Sequence, residues 1–253
     1  MVTLMNLEKW QKRFKRLRLI STLPVSTLLA KDPIYIYHHI PKSGGMSIIE
    51  ALETWFIVRH DHSDTFYSGE SDPEFVNNPY DLSSFRSYEC LCGHFGTEEI
   101  YLHNRYPMTA DDSRFRRFSF IRDPLETKAS LYYFEKKRGL DGGHTLAEHL
   151  GGRHNYIASR FPCTEKNFTE VLDRYFFIGI TEKAQESLDM LAELLNKPRV
   201  ILKHVNTTSR DDEYAQLTDE IKTKFKRENR LNYLIYDYCV KRFESDCKRR
   251  TIN

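Results

Sequence analysis

A chain of 253 residues suits one α/β domain with added helices, and it is long enough to bury a core without disulfides or a structural metal. A formal net charge of +2, with 29% charged and 40% hydrophobic residues, excludes a disordered chain and gives no electrostatic case for nucleic acid as a partner. Five cysteines (Cys90, Cys92, Cys163, Cys239 and Cys247) are odd in number and irregular in spacing, which argues against a disulfide framework, and they read as reduced thiols.

Residues 1–20 carry a basic amphipathic pattern. Leu7, Trp10, Phe14 and Leu17 recur at helical spacing, while Lys9, Lys12, Arg13, Lys15, Arg16 and Arg18 fill the other faces. The pattern predicts a helix docked on the domain through its apolar side, with the basic side in water. A helix lying on a membrane surface or on a partner is the second reading. Pro24 and Pro33 break the pattern, so residues 1–33 are expected as helix and linker and residues 34–253 as the main domain. There is no apolar run of roughly 18 residues or more and no apolar signal core after the basic start, so a cytoplasmic protein is expected.

Residues 34–40 are β-branched and aromatic and stop at Pro41, the clearest strand in the chain. Residues 46–57 read as a helix with Ile48, Ile49, Leu52, Trp55 and Phe56 on its inner side. Residues 60–86 are polar and read as one long surface excursion. Four further strands are expected at Tyr88 to His94, Arg117 to Arg122, Phe176 to Thr181 and Val200 to Val205, with helical segments between them. A closing helix should bury Leu231, Leu234, Ile235, Tyr238 and Phe243. Strands alternating with helices predict an α/β domain with a central parallel β-sheet flanked by helices.

The most informative stretch is His39-Ile40-Pro41-Lys42-Ser43-Gly44-Gly45-Met46-Ser47, between the first strand and the first helix of the domain. Glycines at such a turn let the backbone present consecutive N–H groups, and the following helix adds its own free N–H groups and the positive end of its dipole. Ser43 and Ser47 offer hydroxyls and Lys42 a full charge, so the loop suits an anion. A Walker A loop places its lysine after the glycines, whereas here Lys42 precedes them, which disfavours an ordinary NTPase or kinase.

A second element spans residues 117–134. A strand ends at Arg122, and Asp123, Pro124 and Glu126 form a helix start with N-cap, first-turn proline and a residue able to complete a capping box. Arg122 and Ser130, two turns into the helix, can converge on one anion. Of ten histidines, His94 stands out at the end of a strand in Cys92-Gly93-His94-Phe95-Gly96, where the C-terminal edge of a parallel sheet opens onto a ligand crevice and a base could work. His39 reads as structural. His60, Asp61, His62 and Asp64 lack spaced partners, so no metal is expected. His144, His149 and His154 are five apart, do not share a helix face, and read as surface residues, with His154 able to flank an acceptor cleft.

These motifs resemble those of sulfotransferases that use the nucleotide donor PAPS (3'-phosphoadenosine 5'-phosphosulfate), in particular the heparan sulfate 2-O- and 6-O-sulfotransferase branch. That branch reads His-Ile-Pro-Lys-Thr-Gly-Gly-Thr-Ser at the loop; this chain has Ser43 for the first Thr, which keeps the hydroxyl, and Met46 for the second, which loses it. The resemblance implies a P-loop-like fold in which Pro41, Lys42, Ser43, Gly44, Gly45, Met46 and Ser47 hold the 5'-phosphosulfate. It implies that Arg122 and Ser130 hold the 3'-phosphate, that Lys42 offsets charge on the bridging oxygen, and that His94 is the base toward a carbohydrate hydroxyl, with no metal. Phe177 to Glu182 with Glu186-Ser187-Leu188, His204 to Thr208, and Arg230 to Phe243 resemble later parts of the same family in the same order. The competing readings are an ATP-dependent phosphotransferase and a non-catalytic nucleotide-binding or membrane-surface protein.

Overall fold

Ile34–His39 forms β1, and its parallel neighbours build outward from it in the order β2-β3-β1-β4-β5. The others are β2 (Ile57–Asp61), β3 (Glu89–Gly93), β4 (Phe115–Ile121) and β5 (Phe177–Ile180), and all four pairings are parallel. This computed structural model describes residues 10, 14, 16–63, 72–96, 100–203 and 212–251. The main helices are α1 (Gly45–Trp55), α2 (Pro124–Lys137), α3 (Leu146–Gly151), α4 (Ala184–Leu194), α5 (Asp219–Glu228) and α6 (Arg230–Thr251). The result is one α/β domain with a five-stranded parallel sheet flanked by helices, as the alternation of elements predicts.

Period-two alternation sorts the strand side chains onto two faces. Tyr37, Cys90, Cys92, Phe118 and Phe120 face a large core shared with Ile48, Leu52 and Trp55 of α1, Leu188 and Leu191 of α4, and Ile235, Cys239 and Phe243 of α6. Ile34, Ile36, Leu91 and Phe115 face a second core closed by Leu82, Phe85, Phe95, Leu102 and Tyr106. A sheet buried on both faces needs near-continuous apolar strands, which is why β3 is buried from end to end. A third cluster packs Ala129 and Tyr132 of α2 against Leu146 and Leu150 of α3 and Phe225 of α5. All five cysteines are free, and Cys90, Cys92 and Cys239 are buried.

Several expectations are corrected here. The helix of residues 46–57 ends at Trp55, and Ile57–Asp61 is an edge strand instead of the entry to a loop. Its alternation is short and mixed with charge, because Arg59 and Asp61 share one face of the strand, Arg59 half-exposed and paired with Glu89, Asp61 buried. Asp61 is 3% exposed and receives two hydrogen bonds from Arg105 (2.8 and 2.9 Å) and one from Tyr106 (2.8 Å). Arg105 in turn donates to the Val76 carbonyl at 3.1 Å, so this buried pair pins the described end of the excursion to the sheet. Removing one partner would strand the other charge in the interior, a loss of about 3–5 kcal/mol.

Residues 200–203 are irregular, not a strand, and the rest of the expected strand Val200 to Val205 and the His204 to Thr208 segment lie outside the described residues. At the start of the chain, Trp10, Phe14 and Leu17 are 56%, 66% and 56% exposed, so the stripe predicted to dock faces outward. Half-buried Leu19 instead lines a small cleft together with Phe56 and Val58. His149 is also not a surface residue: its ring is half-buried, 3.6 Å from Glu135. No helix among the described residues is long and apolar enough to cross a membrane.

Candidate active site

Strand register brings the three predicted segments to one place. In β1, His38 pairs with Gly93 of β3, and His39 pairs with Phe120 of β4. The three strands therefore end at one level, with the Ile40–Gly44 turn in the middle, His94 on one side and Arg122 on the other. A chain leaving β3 for β4 must cross β1, and the crevice at the carboxyl ends of such strands is where open α/β sheets bind ligands.

The turn after β1 is built for close approach. Lys42 and Gly44 both have left-handed backbones, with φ of 71° and 75°. For lysine that conformation is strained, and it turns successive N–H groups toward the mouth of α1. Gly45, the first residue of α1, has no room for a side chain: an added Cβ would lie 1.7 Å from His39 Nε2. Pro41, Ser43 and Gly45 are buried, Lys42 and Ser47 half-buried, and Gly44 and Met46 exposed. Met46 at 60% exposure projects into water. Ser43 Oγ is buried and has no hydrogen-bond partner among the described residues, whereas the Ser43 carbonyl accepts from the Thr181 hydroxyl at 3.0 Å. An orphaned hydroxyl beside a helix N-terminus fits a site whose acceptor is an anion.

Lys42 Nζ lies 4.2 Å from the centre of the Phe134 ring, which Arg138 also covers at 4.2 Å. Burial, then the positive fields of Arg122 and Arg138, push the Lys42 ammonium down to about 8, with Glu135 opposing them. Lys42, Arg122 and Arg138 thus act on one another beside the turn, an arrangement suited to an anion.

At the end of β4, Asp123 caps α2 as expected, its carboxylate accepting from the N–H groups of Leu125 (2.9 Å) and Glu126 (3.0 Å). Glu126 does not complete a capping box. It pairs with Arg122 at 3.1 Å, and the Asp123 N–H goes to Glu182 at 2.8 Å, tying the ends of β4 and β5 together. Ser130 is 8% exposed, on the same strand–turn–helix unit as Arg122. Thr127 and Lys128 are buried, and burial pushes the Lys128 ammonium to about 8.

His94 is 8% exposed. Its Nε2 lies 2.9 Å from His39 Nδ1, and the His62 ring stands 5.3 Å away between centroids. Burial, with the fields of His39, His62 and Arg160, holds His94 well below the usual histidine range, so the ring is neutral and its basicity is lowered in this state. The next residue is anchored: His38 Nε2–H donates to the Phe95 carbonyl at 3.0 Å, which leaves His38 Nδ1 to accept from Tyr175 at 2.7 Å. His60 and His62 meet edge to face at 5.7 Å, and no group of three or more metal-ligating side chains forms among the described residues. His154 is exposed.

A cavity of about 440 Å³ opens beside the loop, lined by Ser43, Ser47, Thr181, Gln185, Leu202 and Lys203 among others. Sequence reasoning did not single out Thr181, Gln185 or Lys203, because only the folding of β5 beside β4 brings that turn to α1. Its trace in the sequence was the match of Phe177 to Glu182 with the family pattern.

No protein-family model matches the sequence, and no curated protein matches it. Among solved structures the fold overlays on mouse sulfotransferase SULT7A1 complexed with PAP, at 14% identity over 82% of this chain and 89% of that one, with a TM-score of 0.49. It overlays on a sulfotransferase from Alicyclobacillus acidocaldarius at 12% identity over 82% of this chain and 97% of that one, with a TM-score of 0.46.

Proposed function

We infer that the chain transfers the sulfuryl group of PAPS to a hydroxyl of a carbohydrate. The observation that supports this reading is the register of β3, β1 and β4, which sets the Pro41–Ser47 turn, His94 and the helix led by Arg122 side by side at the carboxyl ends of the strands. The loop from Pro41 to Ser47 would hold the 5'-phosphosulfate, with the orphaned Ser43 hydroxyl and the α1 N-terminus as donors. Arg122 and Ser130 would hold the 3'-phosphate, Arg122 exchanging Glu126 for the ligand. The 440 Å³ cavity has the size of a nucleoside pocket and would take the base.

When bound, PAPS supplies an activated sulfuryl group. His94 takes the proton of the acceptor hydroxyl, and Lys42 places positive charge where the leaving oxygen gains negative charge. The reading calls on no metal ion. A carbohydrate acceptor rests on the resemblance of the loop, the Arg-Asp-Pro element and the Gly-His pair to enzymes of polysaccharides. The outward Trp10, Phe14 and Leu17 beside a basic run fit a helix that meets an anionic membrane, and vesicle sedimentation with and without residues 1–20 tests this; equal sedimentation removes it.

Calorimetry with PAP, the desulfated product, tests the central reading, with ATP as the control. PAP is expected to bind the wild-type protein, and Arg122→Ala to weaken it by about 2 kcal/mol or more through loss of a charge-assisted pair. Absence of PAP binding by the folded protein removes the reading, and binding of ATP with magnesium instead promotes a phosphotransferase. Labelled PAPS with a panel of saccharides then identifies the acceptor.

A further inference from the structure

Lys128 is 5% exposed, whereas Lys136 and Lys137 of the same helix stand in water. A lysine this deeply buried is normally paired. The Lys128 ammonium makes neither a hydrogen bond nor an ion pair with any described residue, and unlike the neighbouring His149 Nε2 it is not sealed from water. Held down to about 8 by burial, it is still charged at neutral pH. The helix fixes what surrounds it. Ser130, two residues on, points about 160° away around the axis, so Lys128 does not share the 3'-phosphate assigned above to Arg122 and Ser130. Glu135, seven residues on, returns to within about 20° of the same direction, two turns along. Burial raises the Glu135 carboxyl, and the positive fields that oppose this come from Lys128, then Arg153, then Lys42 of the loop. The surroundings of Lys128 therefore adjoin the phosphate loop across Glu135, and exposed Arg153, just past α3, stands at their rim.

We propose that Lys128, with Arg153 at its rim, is an acceptor subsite that takes one oxyanion group of the saccharide, and that the flanking carboxylates restrict the site to a single such group. An ammonium held in a buried setting without a partner is unfavourable by itself, and an anion brought to it supplies the missing pair. Glu135 is the carboxylate on the same helix face, yet it does not come within ion-pair distance of Lys128; its recorded contact is His149 at 3.6 Å. The donor's charges are already met by the loop and by Arg122 and Ser130, so the anion that remains for Lys128 belongs to the acceptor. Asp141 also acts on Glu135 and on His149, so negative charge borders the site on the side of the α2 terminus. A second anionic group on the sugar would meet these carboxylates, and a net charge of +2 over the whole chain provides no broad basic track to offset them. The subsite thus fits a sugar with one carboxylate or one sulfate ester among neutral hydroxyls, not a densely charged chain.

As an acceptor subsite it rests on the PAPS reading, and experiments on the full chain separate the two. Lys128→Met keeps the stem and removes the charge. The variant is expected to unfold at a higher temperature than the wild type, because an unpaired buried ammonium is lost. It is also expected to bind PAP within about threefold of the wild type, since Lys128 faces away from Ser130. Both proteins, saturated with PAP, are then titrated by calorimetry with four tetrasaccharides: one with a single carboxylate, its neutral methyl ester, one with a single sulfate ester, and one fully sulfated. A singly charged sugar is expected to bind the wild type at least about tenfold more tightly than the methyl ester, and to lose that margin in Lys128→Met. Whichever of carboxylate and sulfate shows the margin is the group the site takes. The fully sulfated sugar is expected to gain nothing further. No margin in the wild type, a margin that survives in Lys128→Met, or a further gain of about tenfold on full sulfation overturns the proposal. A variant less stable than the wild type overturns it too, because Lys128 would then be a structural partner of Glu135. Absence of PAP binding removes the PAPS reading alone, and the same sugars titrated without PAP then decide the anion site by the same margin.

Discussion

His94→Ala is expected to abolish sulfuryl transfer while PAP affinity stays within about threefold of the wild type. An alcohol is a poor nucleophile near neutral pH, and a positioned base contributes about 10²–10⁴-fold. Burial keeps His94 neutral while lowering its basicity, and the anchoring of Phe95 through His38 fixes the backbone beside it. The PAP site proposed here runs along the loop and α2, on the other side of β1, so binding should survive the loss of the ring. Transfer assays with the acceptor found by screening, set beside PAP calorimetry, measure both quantities. Transfer retained in the variant would move the base elsewhere, and joint loss of binding and transfer would mean that the ring supports the fold of the loop.

The second large effect is expected at Lys42. Lys42→Ala should lower turnover by about 10²–10³-fold, the loss that follows removal of one preorganised electrostatic donor. The depressed Lys42 ammonium gives this a pH signature. It is charged below about 8 and loses its proton as pH rises through that value, so PAP affinity should weaken above pH 8. That window lies well above the second ionisation of a phosphate near pH 6, so the ligand's own titration does not produce it. Lys128 also titrates near 8, and the comparison with Lys42→Ala separates the two: the alkaline fall should flatten in the variant. A near-normal turnover, or an unchanged alkaline fall, would remove Lys42 from its role.

The left-handed backbone of Lys42 bears on the same variant. A lysine at φ 71° carries strain that the turn imposes, and alanine would carry it as well. Loss of function in Lys42→Ala would therefore report the side chain and not relief of the turn.

Much of the site was legible in the sequence because it is local. The strand, proline, glycine pair and helix start of residues 34–55 form a contiguous unit, and so do the strand, cap and helix of residues 115–137. Glycines at a turn and an Asp-Pro helix start have a structural meaning that depends little on what surrounds them. The parallel sheet was legible as well, since apolar strands alternating with helices have few other ways to be buried.

What failed was set by distant partners. Ile57–Asp61 was hidden because its inward charge, Asp61, is acceptable only where Arg105 and Tyr106 meet it. Glu126 could have closed a capping box, but Arg122 took its carboxylate and Glu182 took the capped N–H, a competition no local pattern records. The apolar stripe of Trp10, Phe14 and Leu17 predicted a docked face, yet periodicity shows only that a helix has two faces, not which one the domain will meet.

The amino-acid sequence alone determined the α/β class and the Asp123-capped helix after Arg122, because each follows from short-range chemistry along the chain, and it nominated residues 41–47 and His94 as a candidate site. The tertiary structure decided that these segments stand at adjacent strand ends and that Thr181 closes the loop from β5. It also decided that His39, read as structural, lies within hydrogen-bond distance of His94. Such contacts join residues 55 and 138 positions apart, and only the register of a folded sheet, which the pairing of every strand sets jointly, brings them within 3 Å.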